Sequence, residues 1–335
     1  MTKSNLVIVA AAALAGAIGA SGAWAATACG CLLTTDVDNL GLGSASGWRF
    51  DLRYDDLTQN QLRRGTGTIS PAAASRIVNA GRPKKVDQFT KNQYATLGLD
   101  YAPSATWGVN LQVPYAVRSH ATLGTASDGN APGAGGDSYD SRTSAIGDVT
   151  LIGRYLGVSP KHHIALSFGL KLPTGSHTRT GSSTDPTQPE PVPIDRGLQP
   201  GTGTTDVILG AHIVNPIDID WEYSAQATAQ AALGARSGFR PGSSVNLNLG
   251  LRYMTVPLVI PQLQLNLRQV ARDRGVNADA ANNGGTLIYL SPGIALPVGL
   301  QTSFFGFMQV PVYQRVNGVQ LAPRLGVSLG ARYAF

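Results

Sequence analysis

The carboxyl-terminal segment from Pro323 to Phe335 constrains the fold more than any other part of this sequence. It reads PRLGVSLGARYAF, and apolar residues alternate with polar or small residues without a break. Strict period-two alternation predicts an extended strand with two different faces. The apolar face ends on Tyr333 and Phe335. Alternation alone fits a water-soluble sandwich as well as a membrane barrel, so the rest of the chain has to decide between them.

Similar alternation recurs along the chain in segments of about 10 residues, the length of a tilted strand that crosses an outer membrane. The segment Gly47–Asp56 is the clearest example, with aromatic residues on one face and charged residues on the other. The connections between segments are alternately short and long. This pattern predicts an all-β, transmembrane, antiparallel up-and-down β-barrel of about 12 strands over residues 46–335, with both termini in the periplasm.

Two long stretches between the predicted strands lack alternation and are interpreted as loops. Leu57–Asn92 is basic and irregular, and Thr174–Gly203 contains five prolines. Val316–Ala322 is interpreted as a short loop before the closing strand.

The amino terminus has the features of an exported protein. Lys3 precedes an apolar run from Leu6 to Ala20, and Ala23-Trp24-Ala25 matches a cleavage site. We therefore predict a cleaved signal peptide over residues 1–25, with an uncleaved anchor as the alternative. Residues 26–45 are then a periplasmic or plug segment. A lipoprotein acylated on Cys29 is a further alternative.

The two cysteines, Cys29 and Cys31, lie in that segment as C-G-C. This spacing is too short for a usual zinc pair, and no second pair exists. We expect an inert structural pair, or a disulfide or redox pair in an oxidising compartment. No metal site and no cofactor is predicted.

Composition supports a barrel more than a soluble protein. Charged residues make up 14%, glycine occurs 40 times, and mean hydropathy is −0.01. After the signal peptide no run of 18 apolar residues occurs, so no membrane-spanning helix is predicted. The net charge of +6 is spread along the chain, so no nucleic-acid partner is expected.

Charged residues fall on one face of the predicted strands, which is therefore the lumen face. A charge facing lipid at mid-depth would cost about 2–4 kcal/mol. The lumen-lining candidates are Arg49, Asp51, Arg53, Arg118, Asp148, Arg154, Lys171, Asp206, His212, Asp220, Glu222, Arg252, Arg268, Arg324 and Arg332. They fit a charged constriction that filters solutes, or cross-strand ion pairs that rigidify a narrow barrel.

One hairpin breaks the alternation. Phe304, Phe305, Phe307 and Met308 place apolar groups on both faces. This predicts an apolar patch on the inner wall; the alternative is that one of the rings packs beneath a loop or beneath residues 26–45.

Enzyme signatures are weak. The sequence contains neither H-E-x-x-H nor a Walker loop. One G-x-S-x-G match, Gly326–Gly330, lies inside the closing strand, where a strand-to-helix elbow cannot form. No catalytic residue is predicted.

Three stretches resemble bacterial outer-membrane proteins of the "MetA pathway of phenol degradation" type: IGDVTLIGRY at Ile146–Tyr155, GLKLPTGS at Gly169–Ser176 and GTGTTDVILGA at Gly201–Ala211. The resemblance implies a small transporter-like barrel without well-defined catalytic residues. Tyr333 and Phe335 also resemble the assembly signal of outer-membrane barrels, which implies recognition by the barrel-assembly machinery.

These observations predict a narrow channel or facilitator in the outer membrane of a Gram-negative bacterium, for passive uptake of small, aromatic or apolar solutes. Its expected partners are the lipid bilayer, the assembly machinery and the solute. The alternatives are a structural or partner-binding barrel and, third, a lipid-modifying enzyme of the outer membrane.

Overall fold

The structure, a computed structural model, describes residues 46–79, 82–83, 86–123, 139–159, 163–183, 191–256, 258–279 and 281–335. The predicted signal peptide, the segment 26–45 and the pair Cys29 and Cys31 lie outside the described residues.

Strands dominate the described part of the chain. They are β1 (Gly47–Gly65), β2 (Gly67–Thr68), β3 (Val78–Asn79), β4 (Arg82–Pro83), β5 (Val86–Ala102), β6 (Trp107–Leu123), β7 (Tyr139–Ile146), β8 (Val149–Tyr155), β9 (Ile164–Leu172), β10 (Thr180–Ser183), β11 (Val192–Pro193), β12 (Asp206–Pro216), β13 (Trp221–Ala232), β14 (Ser244–Tyr253), β15 (Ile260–Val270), β16 (Gly285–Val298) and β17 (Thr302–Ala334). A short helix, α1 (Pro71–Ser75), begins after Ser70, whose hydroxyl accepts the N–H of Ala73. A 3-10 turn spans Arg196–Leu198. No helix in the described residues is long and apolar enough to cross a membrane.

Hydrogen bonds join the long strands into one closed antiparallel barrel. β1 pairs with β17 to close it, with Phe50 opposite Tyr333. β7 and β8 both pair with β6 and share one position in the wall. β17 fills two positions, because it pairs with β16 through its first half and with β1 through its second. The wall then has twelve positions: β1, β5, β6, β7 with β8, β9, β12, β13, β14, β15, β16 and the two halves of β17. The predicted all-β barrel of about twelve strands is confirmed.

β17 is a hairpin. The N–H of Ala334 donates to the carbonyl of Gln301 over 2.8 Å, so the two ends of this segment lie side by side. The chain reverses next to Gly318, whose φ of +62° lies in the region that glycine occupies without steric cost. The loop predicted at Val316–Ala322 is therefore wrong in extent, because strand pairing continues on both sides of a tight turn.

Connections at the two rims differ in length. At one rim, here called the short-turn rim, the strands are joined over residues 103–106, 156–163, 217–220, 254–259 and 299–301. At the other, the long-loop rim, the connections are 66–85, 124–138, 173–205, 233–243 and 271–284, together with the turn of β17. Gly47 and Phe335 both lie at the short-turn rim, where Phe335 N–H donates to Trp48 O over 2.9 Å.

The outer face has the composition that lipid requires. Outward leucines such as Leu52, Leu97 and Leu265 are 41–48% exposed. At the short-turn rim Trp48 stacks on Tyr101 at 4.4 Å, and Trp221 lies 4.9 Å from Tyr253. An aromatic belt at the edge of an apolar band is typical of outer-membrane barrels.

Two strands are longer than the sequence predicts. β1 continues to Gly65 and β5 begins at Val86, so the loop expected at Leu57–Asn92 is wrong at both ends. Beyond the lipid band both faces of the wall carry polar residues, and the period-two signal disappears although the strand does not end. A small apolar cluster that includes Leu62, Val86 and Leu321 packs beside α1 in this extension.

Candidate functional site

The inner wall of the barrel holds the charged residues that alternation assigns to the lumen. Along β1, Arg49, Asp51 and Arg53 are half-buried between exposed outward neighbours. The buried candidates are Arg154, Lys171, Asp206, His212, Arg252, Arg268 and Arg332, and the half-buried ones also include Arg118, Asp148, Asp220 and Glu222. Whether any of them contacts a solute stays a prediction.

Three charged side chains form a cluster near the short-turn rim. Asp100 of β5 bridges Arg49 of β1 and Arg154 of β8, and Arg154 Nη2 donates to Asp100 Oδ1 over 2.9 Å. Asp100 and Arg154 are both buried. Glycines make room for such groups: a Cβ on Gly98 would lie 2.1 Å from the Asp51 carboxylate, and one on Gly108 would lie 2.5 Å from Arg154.

A second charged group lies where the barrel closes. Arg53 Nε donates to Asp55 Oδ1 over 2.8 Å, and Ser328 Oγ donates to the same oxygen over 2.7 Å. Ser328 is the serine of the G-x-S-x-G match, and it lies fully buried within β17, in mid-strand as the sequence predicts.

The wall of β13, β14, β15 and β16 carries a ladder of mostly neutral polar groups. Glu222 and Arg252 form an ion pair there at 3.1 Å. Asn248 donates to Gln226 over 3.1 Å, and Asn266 donates to Asn248 over 3.1 Å. Arg268 donates to Asn246 over 2.8 Å. Sequence alternation placed these amides on the polar face but did not select them as candidates, because single amides carry no functional signature.

A group we call the latch consists of Asp148, Lys171, Thr202 and Asp206. It joins β9 and β12 to the connection between β7 and β8 and to the loop 173–205. Asp148 Oδ2 accepts from Lys171 Nζ over 2.9 Å and from the backbone N–H and the hydroxyl of Thr202 over 2.9 and 2.8 Å. Lys171 Nζ also lies 3.1 Å from Asp206 Oδ2. The three stretches that carry the family resemblance thus meet at one point.

Glycine allows the backbones to meet at the latch. Gly175 N–H donates to Asp148 Oδ1 over 3.1 Å. A Cβ on Gly201 would lie only 2.3 Å from the carbonyl oxygen of Gly175. Thr202, Gly175 and Gly201 were not predicted as site residues. The spaced glycines of L-P-T-G and G-T-G-T-T-D are the signal that could have indicated a close backbone approach.

Residues 191–205, here called the mouth segment, lie against the inner wall at the long-loop rim. Arg118 of β6 donates to Gly197 O and Gln199 O over 3.0 and 3.1 Å. Within the segment, the side chains of Ile194 and Leu198 are buried. The latch holds its other end through Thr202. The segment therefore narrows this end of the lumen.

Two histidines near the mouth segment have lowered pKa values. Burial is the main cause of the lowered pKa of His120, which hydrogen-bonds Thr90 over 2.8 Å. Partial burial, followed by the positive charges of Arg196 and Arg236, lowers the pKa of His177. Both histidines are therefore biased toward the neutral form.

An apolar patch interrupts the polar inner wall between β16 and β17; it consists of Phe305, Phe307 and Ala295. These three residues are 3–5% exposed, and the two rings lie 6.2 Å apart. The rings cover glycines of the neighbouring strands, since a Cβ on Gly330 would lie 2.2 Å from Phe305, and one on Gly293 would lie 2.2 Å from Phe307. Phe304 and Met308 face outward and are each 45% exposed. The broken alternation thus marks an apolar stretch of the inner wall, as predicted.

Two candidates lie at special positions. Asp220 is in the turn before β13 and accepts a hydrogen bond from Thr255 over 2.5 Å, so it belongs to the short-turn rim. Arg324 is exposed and is the unpaired residue of an irregularity between Pro323 and Leu325. Its assignment to the lumen stays a prediction, since alternation does not hold across a bulge.

The predicted assembly residues lie together on the outer edge of the short-turn rim. The rings of Tyr333 and Phe335 are 4.9 Å apart in an edge-to-face arrangement. Both are exposed, Phe335 to 71%. A protein that recognises the closing strand could reach them there.

Comparisons with known proteins support the fold. No protein-family model and no curated protein matches the chain. An outer membrane channel from Pseudomonas putida F1 is similar in structure, with a TM-score of 0.59 at 15% identity over 87% of this chain and 96% of that chain. This likeness shows the fold alone, which confirms the outer-membrane barrel expected from the sequence resemblance.

Two further solved structures are similar to this chain with lower TM-scores. The Ralstonia pickettii toluene transporter TbuX has a TM-score of 0.47 at 12% identity over 88% of this chain and 91% of that chain. The β domain of the Bordetella autotransporter BrkA has a TM-score of 0.45 at 15% identity over 87% of this chain and 100% of that chain. Neither likeness enters the argument below.

Proposed function

We propose that this protein is a narrow channel in the outer membrane of a Gram-negative bacterium, and that it passes small solutes with an aromatic or apolar body. The observation that carries the proposal is the patch of Phe305, Phe307 and Ala295 on an otherwise polar inner wall.

The patch offers weak contact of the kind that conduction needs. Apolar surface removed from water contributes about 25 cal/mol per Å². Because Phe305 and Phe307 are only 5% and 3% exposed, a small aromatic ring that contacts them gains less than about 1 kcal/mol by this measure. Such a solute is concentrated at the wall and still leaves quickly.

The rest of the lumen limits size and charge. A barrel of about eight strands is filled by side chains, and about 16–18 strands leave an open aqueous channel. Twelve positions lie between these limits, and the mouth segment and inward arginines narrow the lumen further. We therefore propose a small conduit and not a general porin.

We also propose an orientation for the barrel in the outer membrane. The short-turn rim and both termini lie in the periplasm, which the chain reaches after cleavage of residues 1–25. Tyr333 and Phe335 form the signal for the assembly machinery. Deletion of Phe335 should lower the amount of inserted, heat-modifiable protein in cells, and normal levels would contradict this role.

Liposome swelling tests the proposed selectivity. L-phenylalanine and L-glutamine share a zwitterionic head that does not cross lipid, so their relative rates report the wall of the channel. The parent protein should favour phenylalanine. The variant Phe305→Gln/Phe307→Gln should lose this preference, because glutamine is already present in the same inward row at Gln309. Phe304→Leu, on the outer face, is the control and should keep it.

Two results would contradict different parts of the proposal. If neither amino acid enters liposomes that contain folded protein, the protein is not a channel for solutes of this size. If both enter at the same rate with the parent and the double variant, a channel exists but the apolar patch does not select its solutes.

A further inference from the structure

A cleft of about 300 Å³, here called the rim cleft, opens beside β7 at the long-loop rim and is separate from the apolar patch. Its lining combines two guanidinium groups with four hydroxyl groups. Within the described part of the chain, the lining residues are Arg142, Thr143, Ser144, Thr178, Arg179 and Thr180. One water needs only about 10–15 Å³, so a tetrahedral oxyanion has room there.

The rim cleft exists because β10 separates from β7. The two strands pair only through Ser182 and Ser183 of β10. Before that point the chain turns to the mouth segment, where the N–H of Arg179 donates to Gln199 Oε1 over 2.9 Å and its carbonyl accepts from Gln199 Nε2 over 2.9 Å. On the other side, β7 pairs with β6 along its whole length. Both walls are therefore held by hydrogen bonds that leave the lining side chains available.

The two arginines of the rim cleft have no acidic partner. Arg142 and Arg179 are exposed, and neither forms an ion pair with a carboxylate that the structure describes. Asp140 is two residues from Arg142 on the same face of β7, but it does not line the cleft. A guanidinium group holds its donors in a planar fork that matches the oxygens of a phosphate group.

A buried hydroxyl is the second, independent sign of a ligand. Thr143 lines the cleft and is 6% exposed, and its Oγ1 has no hydrogen-bond partner among the residues that the structure describes. Native proteins rarely leave a buried polar atom unpaired, because it loses its hydrogen bonds to water and gains none in return. An oxyanion in the cleft would accept a hydrogen bond from this hydroxyl.

The height of the rim cleft in the wall indicates the source of its ligand. Arg142 lies on the outward face of β7 in the same row as Ile146, which is exposed and pairs with the exposed Tyr115. These two side chains belong to the band that faces lipid. Four residues of a strand tilted by about 45° rise roughly 9 Å, so Arg142 lies at the level of the lipid head groups.

We propose that the rim cleft binds the phosphate group of a membrane lipid, with Arg142 and Arg179 donating to its oxygens and the Thr143 hydroxyl donating from the buried side. The bound phosphate joins β7 to the segment before β10, where the two walls have no strand pairing. The inference rests on the barrel fold and not on the proposed channel, because binding is measured without solute flux.

Isothermal titration of the full-length protein, freed of lipid in a neutral detergent, tests the site. The probes are dihexanoyl phosphatidic acid, dihexanoylglycerol with the same chains and no phosphate, and inorganic phosphate. The heat of mixing each probe with detergent alone is subtracted. The parent should bind the phosphatidic acid saturably, inorganic phosphate more weakly, and dihexanoylglycerol not at all.

Four variants identify the groups that bind. Arg142→Gln and Arg179→Gln should each bind the phosphatidic acid about tenfold more weakly, the effect of a lost hydrogen bond between charged groups. Thr143→Val should weaken binding about three- to tenfold and also raise the melting temperature of the lipid-free protein, since it removes a buried hydroxyl that has no partner there. Arg64→Gln changes the same charge at an exposed position of the same rim outside the cleft, and should bind as the parent does. Heat modifiability on detergent gels verifies that each variant is folded.

Several results would overturn the proposal. If the folded parent does not bind the phosphatidic acid saturably, or binds dihexanoylglycerol equally well, the cleft is not a phosphate site. If folded Arg142→Gln and Arg179→Gln bind as the parent does, or Arg64→Gln weakens binding as much as they do, the cleft does not provide the contacts. Inorganic phosphate that binds as tightly as the phosphatidic acid would exclude a lipid source and identify a site for free anions.

Discussion

The latch and the apolar patch are both on the inner wall, but they differ in what holds them. In the latch, Asp148 alone accepts four hydrogen bonds, from Lys171, Gly175 and twice from Thr202. In the patch, Phe305 and Phe307 lie over glycines and contact carbon atoms. Hydrogen bonds between charged and polar groups hold the latch, whereas packing of apolar side chains against glycine holds the patch.

This difference teaches which signal in the sequence points to function. Charged residues on alternate positions identify the inner wall, yet many form ion pairs with residues of other strands, as Asp100 does with Arg49 and Arg154. The interpretation as an ion-pair network therefore accounts for these contacts without a solute. A stretch where apolar residues occupy both faces of a strand is more informative, because barrel architecture does not require phenylalanine on the lumen face.

The largest effect is expected from breaking the latch. Asp148→Ala leaves Lys171 buried with Asp206 as its remaining acidic neighbour and releases the mouth segment at Thr202. Removing one partner of a buried pair typically destabilises by about 3–5 kcal/mol. The temperature at which the folded band disappears on a detergent gel should fall, and single-channel conductance should rise.

The matched control for the latch is an exposed pair. Asp56 lies 3.3 Å from Lys91, and the two side chains are 29% and 45% exposed, far more than those of the latch. Asp56→Ala should cost less than about 1 kcal/mol and leave conductance unchanged. Equal behaviour of the two variants would show that the latch holds neither the barrel nor its mouth.

A smaller effect is expected from crowding the patch. Gly330→Ala adds a methyl group 2.2 Å from the ring of Phe305, which must move toward the lumen. Overpacking of this kind costs typically about 1–3 kcal/mol. Both the flux of L-phenylalanine and the melting temperature should fall. Gly234→Ala is the control, because its Cβ would meet no atom within 4 Å and both measurements should stay at the parent's values.

The fold followed from the sequence because a membrane barrel repeats one rule in every strand. Trp48 to Tyr54 and the segment ending at Phe335 reveal that rule, and the structure pairs them directly. The latch did not follow, because Thr202 reaches Asp148 across 54 positions through a long loop that turns back into the lumen. Alternation indicates which face of the wall a side chain lies on, but it does not indicate where a loop folds back into the lumen.

The extent of the strands was also hidden, for a related reason. Beyond Leu57, β1 leaves the lipid band, and polar residues such as Gln59 and Arg63 occupy both faces.

The smallest effect is expected from a change in pH. It should appear at the mouth segment, which the latch holds, and not at the apolar patch. In the folded protein the pKa of His177 lies below its ordinary value, first because of partial burial and then because of Arg196 and Arg236. The unfolded state therefore binds the proton more readily, so His177 favours the folded mouth fully above the unfolded pKa and less as pH falls toward the folded pKa. Conductance should rise slightly on acidification from pH 7.5 to 5, because the protonated imidazole repels the two arginines and loosens the mouth segment.

His177→Gln should reduce this response, whereas His163→Gln, at the short-turn rim, should preserve it. A pH response that is the same in all three proteins would exclude His177 as its source and weaken the distinction drawn between the charged latch and the uncharged patch.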